Sequence, residues 1–310
     1  MAKFLVTGGA GFIGSHIVEL LVSEAHDVVV YDNFSTGREV NIEPFADKIA
    51  VVRGDILDAH ALDAAMVGVD YVVHHAAEVS AVKSVEDPML ANEVNVTGTL
   101  NVLRSARDCG VKRLVLASSS AIYGDTGREP QSEKNLPSPL SPYGATKICG
   151  EHYCTVFNEI YRLETVRLRY FNVFGPRQNP NSQYAAVIPK FADRILAGKE
   201  VHIYGDGEQT RDFIFVKDVA RANLIACLHE SAPGEVFNIA GGRNLSVNEL
   251  AELLMTVTGK LVPIVHDAPN IGEIKYSASD TRKAREILGF EPNVSIEEGL
   301  KQVTAYLGSK

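Results

Sequence analysis

Tyr143 and Lys147, in Ser141-Pro142-Tyr143-Gly144-Ala145-Thr146-Lys147, are the residues whose types and spacing most readily do chemistry. Ser141 suits a helix N-cap and Pro142 the first helical position, so a helix is predicted to start here. Residues four apart then share one helix face. A phenol with a pKa near 10 is a poor base at neutral pH. An ammonium beside it stabilises the phenolate and makes it a usable acid/base. Taken alone the pair is weak, because an exposed Tyr and Lys that merely neighbour one another look the same. Serines strengthen it. Leu114-Val115-Leu116-Ala117 reads as a buried strand running into Ser118-Ser119-Ser120. Hydroxyls would then sit at a strand's carboxyl end, the edge where open α/β sheets bind ligands. A serine there can bond a substrate hydroxyl and relay its proton; the plainer alternative is a polar strand exit.

Such residues need a rigid frame. Short apolar runs at Phe4–Thr7, Val28–Tyr31, Ala50–Val52, Tyr71–His74, Leu114–Ala117 and Thr165–Leu168 alternate with helical patterns such as Gly14–Ser23 and Asn92–Cys109. Nearly continuous apolar strands alternating with helices predict a parallel sheet covered on both faces. From Asn172 the texture changes, with loop signals at Gly175–Asn181 and Gly205–Glu208. Phe213–Val216 and Asp218–His229 read as a strand and helix returning to the first domain, and Val236–Ile239 as one more strand of its sheet. Ser246-Val247-Asn248-Glu249 is a capping box opening a helix, and Asp280–Leu288 and Ile296–Leu307 are helical. The expected fold is α/β: a Rossmann-type doubly wound parallel sheet with a smaller mixed α/β C-terminal substrate lobe. The first domain would span 1–171 with 213–242 returning to it, and the second lobe 172–212 and 243–310.

The first strand ends in Thr7-Gly8-Gly9-Ala10-Gly11-Phe12-Ile13-Gly14, directly before a helix. Glycines here allow a tight turn, close approach to a pyrophosphate and helix–strand packing. The helix N-terminus adds free N–H donors and partial positive charge. Strand two ends at Asp32, at the distance a dinucleotide site requires. A carboxylate there accepts from both ribose hydroxyls and repels a 2′-phosphate, so NAD is expected over NADP. Arg38 is the only nearby base that could reverse this, and Asp55-Ile56 after the third run could hold the adenine. A bound nicotinamide cation would join Lys147 in stabilising the Tyr143 phenolate. A shift of about three units corresponds to about 4 kcal/mol.

Charge and composition exclude other classes. The net charge of -9, with no basic run, argues against a nucleic-acid surface. No stretch approaches the apolar length of a membrane helix. The N-terminus lacks a signal-peptide pattern. Cys109, Cys149, Cys154 and Cys227 form no CxxC pair, and the histidines no HExxH. Reduced thiols in the cytosol and no metal are expected.

The residues together resemble the extended short-chain dehydrogenase/reductase family, and within it the UDP-hexose 4-epimerases. The resemblance runs over essentially the whole chain, through Thr7–Gly14, His74-His75-Ala76-Ala77, Asn95–Thr99, Ser118–Gly124, Tyr143–Lys147 and Arg169–Pro176. It implies cofactor contacts from Gly8, Gly11, Phe12, Ile13, Asp32, Asn33, Ser35, Gly37, Asp55, Ile56, His75, Ala76, Ala77, Asn95, Ser118, Tyr143, Lys147 and Tyr170. It implies catalysis by Ser119, Tyr143 and Lys147. On the substrate side, Ser120 joins the site, Asn172 would meet the diphosphate, and Arg211 would clamp a phosphate. Ala186, Val187, His202, Ile203 and Tyr204 would enclose the uracil. One departure stands out: the family's second phosphate-binding Arg aligns with Asn270, followed by Gly272-Glu273, with Lys275 as a conjectural substitute.

Dehydratases and decarboxylases of the family carry acids just after the proton-relay hydroxyl, whereas Ser119 is followed by Ser120-Ala121. Elimination of water needs that extra acid/base; epimerisation does not. Ser277 aligns with a position that is bulky in enzymes restricted to plain hexoses, so room for an N-acetyl group is expected. The resemblance also implies a cytoplasmic homodimer paired through helices near Asn92–Cys109 and Tyr143–Tyr161. The competing readings are a net nucleotide-sugar oxidoreductase or dehydratase, and a non-catalytic dinucleotide sensor.

Overall fold

Runs of Val, Ile, Leu and Phe without alternating polar residues suit strands buried on both faces, and so they lie, except that the run at Ala50–Val52 forms a largely exposed edge strand. The computed structural model describes residues 1–125, 130–179, 186–269 and 275–309. The family departure at Asn270, Gly272 and Glu273 lies outside them. The chain runs β1 (Lys3–Thr7), α1 (Phe12–Ser23), β2 (Asp27–Asp32), β3 (Ile49–Arg53), α2 (Ala59–Ala65), β4 (Tyr71–His74), α3 (Ala81–Glu86) and α4 (Pro88–Asn92). A π-helical turn, Glu93–Thr97, leads into α5 (Gly98–Asp108), β5 (Arg113–Ser119), α6 (Pro142–Tyr161), β6 (Glu164–Tyr170) and β7 (Asn172–Phe174). Then follow α7 (Val187–Leu196), β8 (Val201–Tyr204), β9 (Thr210–Phe215), α8 (Val216–Leu228), β10 (Val236–Ile239) and β11 (Asn244–Ser246). The last elements are α9 (Val247–Thr258), β12 (Ile264–Asp267), α10 (Arg282–Leu288) and α11 (Ile296–Gly308).

Seven strands form one parallel sheet in the order β10-β6-β5-β4-β1-β2-β3. The chain winds outward from β1 in both directions, so the order reverses between β1 and β4. This is the Rossmann-type fold expected, and crevices at such switch points take ligands. One face is packed by α1 and α8 through Ile17, Leu21, Val219 and Ala226. The other is packed by α2, α5 and α6 through Leu62, Val102, Leu103, Cys154 and Phe157. A third core joins α7, α9 and α11 through Phe191, Ile195, Leu250, Leu254 and Leu300.

Two expectations need revision, and one small sheet was not anticipated. The returning strand does not enter the main sheet: β9 pairs with β7 and β11 in a separate three-stranded sheet. An apolar run does not say which sheet it joins, and β10 already occupies the place beside β6. Its following helix α8 does return, packing on α1 and β5. The helix expected over Asn92–Cys109 is interrupted by the π turn, a feature invisible to hydrophobic periodicity. Finally, β8 and β12 form a small parallel sheet of their own. No helix among the described residues is long and apolar enough to cross a membrane.

His74 locks the switch point. It is buried, and its ring bridges the hydroxyls of Thr7 on β1 at 2.7 Å and Thr99 on α5 at 3.0 Å. Burial first, then the charges of Lys147 and His75, depress its pKa from 6.5 to about 3. A depressed histidine is neutral in the fold and protonates in the unfolded chain. Its contribution is therefore complete above pH 6.5 and is lost as pH falls, by about 2 kcal/mol at pH 5. Thermal unfolding followed from pH 7 to pH 5 should show a steeper fall in Tm for the wild type than for His74→Asn; equal slopes would refute this role.

Candidate active site

Gly8 has a φ of +67°, and a Cβ on it would lie 2.8 Å from the backbone nitrogen of Ala76, just past β4. A side chain at Gly14 would meet the Gly8 carbonyl at 2.1 Å. The loop thus closes onto both the neighbouring strand end and the first turn of α1 only as glycine. Gly11 is the N-cap of α1 and carries no side chain that could cap it. The first-turn amides, Phe12 and Ile13 among them, therefore face the mouth of the switch point as donors suited to a pyrophosphate.

Asp32 is buried and holds this loop. Its Oδ2 accepts from Ala10 N at 2.9 Å and its Oδ1 from Phe34 N at 2.8 Å. Burial raises its pKa, and the two backbone bonds oppose the rise. A carboxylate has about four lone-pair sites, so two backbone donors leave capacity for ribose hydroxyls. A Cβ at Gly37 would stand 2.8 Å from Oδ1, so this glycine lets the chain close over the acid. Asn33 donates to Asp55 Oδ2 at 2.9 Å and accepts from Ser35 N at 3.0 Å, which ties the ends of β2 and β3. Ile56 is buried against Gly98. Arg38 is not the only base near Asp32. Arg53 stands in register with it on β3, lies 4.2 Å over the Phe34 ring and pairs with Glu39 at 2.6 Å.

The helix that carries Tyr143 and Lys147 forms as the sequence implies. Ser141 Oγ accepts from Gly144 N at 3.2 Å, and Pro142 opens α6. Ser119 Oγ accepts from Ala121 N at 3.1 Å and lies close enough to Tyr143 to favour its phenolate. Lys147 Nζ lies 5.6 Å from the Tyr143 ring and donates to Ala117 O at 3.0 Å, next to the serines. Further bonds fix the turn: Ser84 Oγ accepts from Tyr143 N at 3.0 Å, and Thr146 Oγ1 donates to Tyr143 O at 2.8 Å. Asn95 sits on the π turn and donates to Thr146 Oγ1 at 3.0 Å and Glu78 O at 3.0 Å. Its amide braces α6, while the carbonyl accepts from Glu78 N at 2.8 Å.

The expected lowering of the Tyr143 pKa is not achieved by the protein's own groups. Burial raises it, opposed by the nearby Ser119 hydroxyl. Burial also lowers Lys147 to about 8, because an ammonium is costly in the same dry setting. An oxidised nicotinamide, when bound, would add a positive charge that favours the phenolate. His75 and Tyr170 stack with centroids 5.6 Å apart, and Tyr170 Oη donates to Asn223 at 3.0 Å. Burial holds His75 neutral, with a pKa lowered to about 4. Asn223 on α8 was not legible in the sequence as a member of this group. Nor was the buried pair of Glu151 and Arg169, which holds Ser118: Ser118 Oγ donates to Glu151 Oε1 at 2.5 Å.

On the substrate side, Asn172 donates to Asp212 O at 2.9 Å, which places it beside Arg211 across β7 and β9. His202 and Tyr204 point outward from β8, whereas Ile203 is buried in the third core and can offer a ligand little beyond its backbone. Ala186 and Val187 open α7. Ser120 begins a short 3₁₀ turn after Ser119. Ser277 is half-buried, and its carbonyl accepts from Asp212 N at 3.1 Å.

The glycine cradle, Asp32 and the Tyr–Lys–Ser cluster fit a dinucleotide enzyme, and the sequence model of the NAD dependent epimerase/dehydratase family matches residues 4–240. The chain belongs to that family. It is similar to three solved enzymes. The UDP-glucose 4-epimerase of Thermotoga maritima, solved with UDP-glucose, is 41% identical, with 99% of each chain covered and a TM-score of 0.94. The UDP-N-acetylglucosamine 4-epimerase of Methanobrevibacter ruminantium, in complex with UDP-N-acetylmuramic acid, is 38% identical over 99% of this chain and 98% of that one, with a TM-score of 0.95. The UDP-glucuronic acid 4-epimerase of Bacillus cereus, with UDP-glucuronic acid and NAD, is 32% identical over 99% of each chain, with a TM-score of 0.90. As a member of this NAD-dependent UDP-sugar epimerase family, the chain is an enzyme with NAD as cofactor. Removing the phenolic oxygen with Tyr143→Phe should lower kcat by roughly 10²–10⁴-fold. Bound NAD, assayed after release by denaturation, should stay at the wild-type level, and a fully active variant would dismiss Tyr143 as the acid/base.

Proposed function

We propose that the enzyme is a UDP-hexose 4-epimerase that interconverts UDP-galactose and UDP-glucose, and that it also accepts UDP-N-acetylhexosamines. The observation that carries this reading is Tyr143 close to Ser119 and beside Lys147, with Ser120 and Ala121 following and no acid among them. The cluster can move one proton at one hydroxyl. It has no second acid/base immediately after Ser119 to drive elimination.

In this mechanism Tyr143 takes the proton of the sugar 4-hydroxyl, and Ser119 bridges the two oxygens. Bound NAD accepts the C4 hydride and returns it, so the net redox change is zero. Asn172 and Arg211 hold the diphosphate while the 4-keto sugar turns to offer its other face. A planar guanidinium suits that anchoring role. Lys147 keeps its ammonium against Tyr143 and restrains the phenolate when it forms. Incubated with UDP-galactose and no reductant, the enzyme should yield UDP-glucose with no lasting nicotinamide absorbance. Persistent reduced cofactor, or a dehydrated product, would overturn the proposal.

Acceptance of N-acetyl sugars rests on the small side chain of Ser277. Ser277→Tyr should cut kcat/KM for UDP-N-acetylgalactosamine by about 10-fold or more while leaving UDP-galactose within about 2-fold. Equal losses on both would remove Ser277 from the sugar pocket.

We also propose a homodimer. Val156, Ile160 and Tyr161 on α6, with Val82, Val85 and Met89 on the adjoining α3 and α4, are exposed apolar side chains on helices that pack together. Exposed apolar side chains on neighbouring helices favour burial against a second copy. Sedimentation velocity should show Ile160→Asp as a monomer with native circular dichroism, and a wild type that is itself monomeric would end the idea.

A further inference from the structure

Ser118, Arg169 and Asn238 stand in register on the adjacent strands β5, β6 and β10, and all three are buried. In-register neighbours project to the same face, so these residues form a polar row across three adjacent strands. Glu151 of α6 bridges its first two members, accepting from Ser118 Oγ at 2.5 Å and from Arg169 Nε and Nη2 at 2.9 and 2.7 Å. Tyr123 bridges the next two. Arg169 Nη1 donates to its hydroxyl at 2.9 Å, and that hydroxyl donates to Asn238 Oδ1 at 2.6 Å.

The direction of this chain is fixed by chemistry. A guanidinium can only donate, so the single phenolic proton of Tyr123 must go to Asn238. That proton sets the orientation of the amide and turns Nδ2 outward. Nδ2 then donates to Gln131 O at 2.9 Å and Asp280 O at 3.3 Å. Gln131 in turn clasps the chain beside it: Gln131 N donates to Ala278 O at 2.9 Å, and Asp280 N to Gln131 O at 2.9 Å. The clasped stretch carries Ser277, whose own carbonyl is held by Asp212 on the far side at 3.1 Å.

We propose that Arg169, Tyr123 and Asn238 are positioning residues of the sugar site, fixing the stretch that carries Ser277 relative to the strand end that carries Ser118 and Ser119. The proposal rests on the reading of Ser277 as part of the sugar pocket. A buried ion pair is a poor means of stabilising a sheet that apolar side chains would pack as well. Its use here is orientation: each partner has one hydrogen-bonding arrangement, so the spacing between catalytic hydroxyl and pocket wall is set to within a bond length. Burial pushes the Tyr123 phenol up to about 12, so it remains a neutral donor throughout the working range.

Tyr123→Phe tests this with the ring still packed against Phe171 and Ile122. Amide exchange in 276–281 should quicken about tenfold, while β1 and β4 exchange as before. For the UDP-sugar that the wild type turns over, KM should rise about fivefold with kcat held within about a factor of two. The inhibition constant of UDP, which has no sugar, should not move. Asn238→Asp, which keeps the bond to Tyr123 but sets a carboxylate against two carbonyls, should do the same. A lowered Tm with unchanged exchange and KM would make the row mere structural glue and overturn the proposal. A fall in kcat at constant KM would also overturn it. Faster exchange with constant KM would overturn it through the reading of Ser277 rather than through the row.

Discussion

Gly8 lies so close to the backbone of Ala76 that no side chain can come between them. The rest of the site depends on this approach. It occurs where β1 and β4 part company, and only the reversal of strand order there opens a crevice into which the first turn of α1 can aim its amides. Asp32 reaches into the same loop from β2, and His74 pins β4 to β1 and α5 from below. Moving any of these by an ångström would separate the cofactor cradle from the serines at the end of β5. The stiffness comes from buried, paired polar groups and from glycines with no room to be anything else.

The dry setting works against charge. Burial disfavours both the Tyr143 phenolate and the Lys147 ammonium. A cation brought in by an oxidised nicotinamide would favour the phenolate and disfavour the ammonium, so the two residues answer a cofactor in opposite senses. The proposed acid/base and its partner are thus both sensitive to what occupies the crevice beside them.

Much of this was legible in the sequence, because its signals were local. The glycine spacing before α1, Asp32 at the end of β2, and Ser141-Pro142 at the start of α6 each dictate the structure found within a few residues. The continuous apolar runs gave the parallel sheet for the same reason. Long-range pairings were not legible. Nothing in the neighbourhood of Phe213 tells it to leave the main sheet, since the vacancy beside β6 is filled by a strand that comes later. Arg53 reaches Asp32 only through the register of β2 and β3. The pairing of Glu151 with Arg169 emerges only when α6 is laid across β5 and β6. The π turn at Asn95 was hidden because a single widened turn spans too few residues for hydrophobic periodicity to register it.

One edge of the main sheet has an additional property. β10 has a free side, and free strand edges recruit other chains. Here Glu133 takes the Asn238 amide at 2.7 Å, while Gln131 forms a bridge with Ser279 alongside. Gln131 and Glu133 thus act as a stopper on this edge, and Gln131 also holds the stretch that carries Ser277. Loosening that hold would therefore also loosen the cover on an edge that other chains could pair with.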